Sequence, residues 1–76
     1  MLKKIKECSF QELFDYVNDN LVKVLLGEKP FPHAILMFVN NPNIKEMTPR
    51  DRRNELKQIF SEMKPDLLDI QIDVKS

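Results

Sequence analysis

Apolar and polar positions recur with two different periods along these 76 residues, and the change of period marks the elements. Phe10, Leu13, Phe14, Val17, Leu21, Val24 and Leu25 follow one another at helical spacing. At 100° per residue they share a sector about 120° wide, the stripe of an amphipathic helix. Ser9-Phe10-Gln11-Glu12 ahead of the stripe is a capping box: the serine oxygen accepts from the backbone and the glutamate reaches back. Gly27 suits the position just past the helix end. Against a continuous helix stand Asn18, Asp19 and Asn20, three poor helix formers in succession. Leu21–Leu26 read as a strand is the competing assignment, but it leaves the shared sector unexplained.

The six residues Ala34 to Val39 are all apolar and are fenced by Pro30, Pro32, Asn40, Asn41 and Pro42. So short a run, apolar on every side and bounded by breakers, predicts a buried central strand covered on both faces. Asn40-Asn41-Pro42-Asn43 is turn chemistry. Thr48 as N-cap, Pro49 in the first position and Asp51 in the third begin a second helix. Its apolar stripe is Leu56, Ile59, Phe60 and Met63, and Pro65 ends it. Leu68, Ile70, Ile72 and Val74 alternate with polar residues, the period of a half-buried strand. Leu2–Cys8, with Leu2 and Ile5 among charges, adds an edge strand.

The expected fold is therefore a small α/β domain of β-α-β-α-β order. It has a three-stranded, at least partly parallel sheet and two helices, with a crossover from Ala34 to Val74. The alternative is an all-α three-element bundle with Ala34–Asn41 as a short buried helix. The α/β order resembles the opening of a thioredoxin-like domain. Where that family carries its paired cysteines, this chain has Asn40, Asn41, Pro42 and Asn43, so dithiol chemistry does not follow.

Composition narrows function by exclusion. One domain spanning residues 1–76 is expected, with roughly 4–11 kcal/mol of stability at this length. Twelve basic and twelve acidic residues cancel, so no global field draws the chain to nucleic acid or an anionic membrane. No apolar stretch approaches the length of a bilayer span, and a cytoplasmic location is expected. Cys8 is the single cysteine, which allows no internal disulfide and fits a reducing compartment. Neither a metal nor another cofactor is expected. His33 is the single histidine and lacks a Cys, Asp or Ser at a catalytic spacing, so it reads as structural or solvent-facing.

The second helix carries the most informative charge pattern. Arg50, Arg53, Lys57 and Lys64 line one flank, while Asp51, Glu55, Gln58 and Glu62 line another. The basic flank either packs beside the acidic face of the first helix (Glu12, Asp15, Asp19) or forms a docking edge. Arg52 falls in the apolar sector and is expected to lay its stem on the core. Phe31, in a loop between two prolines, either caps the core or anchors a partner.

These residues lead to the expectation of a non-enzymatic protein-interaction module. It would be a small regulator or inhibitor, of bacterial or mobile-element type, docking through Arg50, Arg53, Lys57 and Phe31. Homodimerisation is expected as well, to cover the second face of the central strand. The alternative is a dimeric nucleic-acid-binding regulator using the second helix with Lys3, Lys4 and Lys6.

Overall fold

Ser9 starts the longest helix, α1 (Phe10–Leu25), through the expected reciprocal cap. The Glu12 amide donates to Ser9 Oγ at 3.2 Å, and the Ser9 amide donates to the Glu12 carboxylate at 2.9 Å. The helix ends in a Schellman arrangement: the Gly27 amide reaches the Val24 carbonyl, and the Glu28 amide reaches the Lys23 carbonyl at 2.9 Å. Gly27 supplies the positive φ of 77° that this closure needs. The Asn18–Asn20 interruption does not stop the helix but bends it. Asn20 sits at φ −125°, ψ 19°, with its side-chain amide donating to the Tyr16 carbonyl at 2.9 Å.

This computed structural model describes residues 1–75. After α1 come α2 (His33–Val39), a 3-10 turn at Pro42–Glu46, α3 (Pro49–Glu62) and a single turn α4 (Pro65–Leu68). The strands β1 (Leu2–Lys4) and β2 (Gln71–Asp73) pair antiparallel, Lys3 opposite Ile72.

The expected three-stranded, partly parallel sheet is thus overturned. Among the described residues there is only the two-stranded antiparallel ribbon, and the all-helical alternative lies closer to the architecture. The error is the central run, which is a helix. Ala34, Leu36 and Met37 are strong helix formers, and only Ile35 and Val39 are β-branched. Nor is the run covered on both sides. Ile35, Leu36 and Val39 are buried on one face, whereas Ala34 is exposed and Met37 is 60% exposed on the other. With no parallel strand the crossover disappears, and the doubly covered strand that motivated a homodimer goes with it.

The other boundaries follow their chemistry. Thr48 Oγ1 accepts from the Asp51 amide at 3.1 Å, starting α3. Met63 (ψ 153°) and Lys64 (ψ 140°) are extended ahead of Pro65, so Lys64 leaves the basic stripe of α3. Pro65 begins α4, which delays the tail strand from Leu68 to Gln71. Beyond it the alternation holds, with Ile72 and Val74 buried.

The core joins every layer. Ile5, Leu13, Val17 and Ile35 are essentially inaccessible, and Leu56, Ile72 and Val74 pack with them. Each such side chain contributes roughly 1.5–3 kcal/mol. The ribbon fastens both ends of the chain against α1. The Ile5 amide donates to the Ile70 carbonyl at 2.9 Å, and the Val74 amide to the Met1 carbonyl at 2.8 Å.

Candidate docking groove

Where α1 begins, α3 passes beside it, and their side chains enclose a groove of about 530 Å³. Phe10, Leu56 and Phe60 give it apolar walls, with the Cys8 side chain among them. Phe10 is held by ring contacts, 5.8 Å from Phe14 and 5.7 Å edge-on from Phe38. Lys6, Arg52, Arg53 and Lys57 bring four cations to its lining, and no carboxylate lines it.

These cations are not equivalent. Lys6 is 3.0 Å from the Asp69 carboxylate and is therefore partly neutralised. Arg52 is half-buried: its Nε donates to the Ile44 carbonyl at 3.0 Å, and its guanidinium lies 5.3 Å from the centre of the Phe10 ring. Its sequence position predicts a stem laid along the core; the guanidinium itself is held here, between a backbone carbonyl and an aromatic ring. Arg53 and Lys57 are exposed, one turn apart, and have no carboxylate within 4 Å among the described residues.

The acidic face of α1 is already occupied. Glu12 accepts from Lys3 at 2.9 Å, Asp19 from Lys75 at 2.9 Å, and Asp15 from the Gln11 amide at 2.9 Å. The basic stripe of α3 therefore does not pack against it. Glu12 is held below the usual carboxylate range, first by the Ser9 amide and then by Lys3. Lys3 is raised in turn by Glu12.

Of the residues singled out from sequence, the groove brings together Arg53 and Lys57. Arg50 is exposed on the first turn of α3, outside the groove lining. Phe31 is elsewhere: it stacks on Tyr16, ring centres 5.6 Å apart, and lies half-buried against the core. Tyr16 lines a second hollow of about 520 Å³ with Glu12, Asp15, Asp19 and Asp73.

The chain matches no family model, no curated protein and no solved structure.

Phe10, Leu56 and Phe60 are groove residues that sequence reasoning used only as core. The signal for Phe10 was its place as the first apolar residue after the cap, at an exposed helix end. Nothing in the linear pattern brings it into one groove with Phe60, because that depends on how α1 and α3 pass each other. Cys8 is buried, its thiol donating to the Lys4 carbonyl at 3.3 Å. Burial pushes its pKa up to about 11, which keeps it in the poorly nucleophilic thiol form. His33 is exposed on the first turn of α2. Among the described residues no group of three or more His, Cys, Asp or Glu side chains could hold a metal, and no helix is long and apolar enough to cross a membrane.

Proposed function

We propose that the protein is a non-enzymatic interaction module that docks on an acidic protein partner through the edge formed by Arg50, Arg53 and Lys57. One observation carries this reading: Arg53 and Lys57 stand unmatched at the lip of an apolar groove, while Lys3, Lys6 and Lys75 beside them or along α1 have carboxylates of their own. Two like charges one turn apart on a helix cost a few tenths of a kcal/mol each way, so an external anion is what their placement suits.

Phosphate of nucleic acid is less well served. Lys3 and Lys6 are engaged by Glu12 and Asp69, and Lys4 lies 4.0 Å from Asp69. Asp51, Glu55 and Glu62 are exposed on the same helix as the basic edge. A phosphate-binding face is normally an unopposed basic one.

The test is affinity capture from the source organism with the wild type beside an Arg50→Ala/Arg53→Ala/Lys57→Ala variant. A partner retained by the wild type and lost by the variant is the expected result. Equal capture by both refutes the edge. Binding of a short DNA duplex at low salt, with a salt slope reduced in Arg53→Ala, would transfer the edge to the nucleic-acid reading.

A further inference from the structure

We infer that the groove between α1 and α3 seats a large apolar anchor side chain from an acidic segment of the partner, with the segment's carboxylates lying across Arg53 and Lys57. This rests on the docking reading above and adds to it the chemistry of what is bound. Charge complementarity selects the occupant's sign: the lining contains four basic residues and no acidic one. The walls select its apolar part, since Phe10, Leu56 and Phe60 present ring and aliphatic surface that a purely ionic ligand would leave in water.

Size sets the scale. A volume of about 530 Å³ receives one or two large side chains rather than a folded element. Arg52 is poised between the two kinds of contact, with its guanidinium against Phe10 on the groove side. It is anchored by the Ile44 carbonyl, so it need not be reordered on binding. The cap engages one α1 amide, that of Glu12, which donates to Ser9 Oγ, and the remaining positive end of that helix borders the same groove.

The test uses three short fluorescein-labelled peptides: Trp-Leu within an Asp/Glu-rich frame, the same anchors within a Gln-rich frame, and Ala-Ala within the acidic frame. Amide shifts in the intact protein are followed together with anisotropy. The acidic, anchored peptide should move the amides of Phe10, Leu56 and Phe60, and both control peptides should bind more weakly. Arg53→Glu/Lys57→Glu should weaken it by about tenfold or more, as expected for losing two attractive charges and gaining two repulsive ones. Gln11→Trp fills the groove from an exposed position and leaves the basic edge intact, so it should also weaken binding.

Absence of shifts at Phe10 and Phe60, or equal binding of the Ala-Ala peptide, overturns the inference. So does displacement of the peptide by a short DNA duplex or by decanoate at lower concentration, or a concentration-dependent shift without peptide that marks a second copy as occupant. If these results fail while the triple alanine variant still loses its captured partner, the docking edge stands and only the seated anchor falls.

Discussion

Two hollows of nearly equal size border α1, about 530 and 520 Å³, and they differ in how their charges are answered. In the acidic one three of the four lining carboxylates have a cation of the chain beside them, and Asp15 accepts from the Gln11 amide. Lys3 answers Glu12, Lys75 answers Asp19, and the terminal ammonium lies 2.6 Å from Asp73. In the basic one Arg53 and Lys57 are left unanswered among the described residues. Volume does not separate the two hollows; unmatched charge beside an apolar wall does.

Both hollows have walls that belong to the core, and that is where the largest effects are expected. Leu56→Ala should cost roughly 2–5 kcal/mol in urea unfolding. Val74→Ala should cost less, because it removes two side-chain carbons rather than three. A change below about 1 kcal/mol for Leu56 would mean that the basic groove has no firm floor and that the comparison fails.

The cap between the hollows comes next. Ser9→Ala should lower stability by about 1 kcal/mol, since it orphans the Glu12 amide. Glu12→Gln brings in pH. The folded-state pKa of Glu12 is depressed by the Ser9 amide and Lys3, so its stabilisation is present above the unfolded value near 4.3. That stabilisation is lost as pH falls through the depressed value. The stability gap between wild type and Glu12→Gln should therefore be widest at neutral pH and close in acid. A gap that widened on acidification would refute the assignment.

The two rims should respond with opposite signs. Lys57→Ala relieves repulsion with Arg53 and should leave stability unchanged or raise it by about 0.3 kcal/mol. Lys3→Ala removes a matched charge and should lower the thermal midpoint measurably. The smallest signal is chemical: Cys8, protonated and buried on the basic side, should react with a thiol reagent at neutral pH far more slowly in the folded protein than in urea.

The caps of the two long helices were the most legible features of the sequence. Ser9, Glu12, Thr48, Pro49 and Gly27 act through contacts within a few residues, so their roles can be read from spacing alone. The alternation at Ile72 and Val74 was equally readable, although α4 shortened the strand. What escaped was the seven-residue helix α2. A run of six apolar side chains carries no period of its own, and its length favoured a strand over a helix. Its state was decided by which side chains α1 and α3 could bury, leaving Met37 outside. The candidate site was half legible for the same reason. Arg53 and Lys57 announce themselves by spacing on one helix, whereas the floor beneath them is made where two helices meet.

The bend at Asn20 has its own consequence for α1. Leu13, Tyr16 and Val17 before it are buried, whereas beyond it Val24 is the one buried side chain, and Val22, Leu25 and the C-cap Leu26 are each more than 60% exposed. The helix should therefore exchange its amide hydrogens in two blocks. A slow block ends near Asn20, and a faster one unwinds from the glycine end without the rest. A step in protection at that residue would divide one continuous helix into two units of cooperative opening.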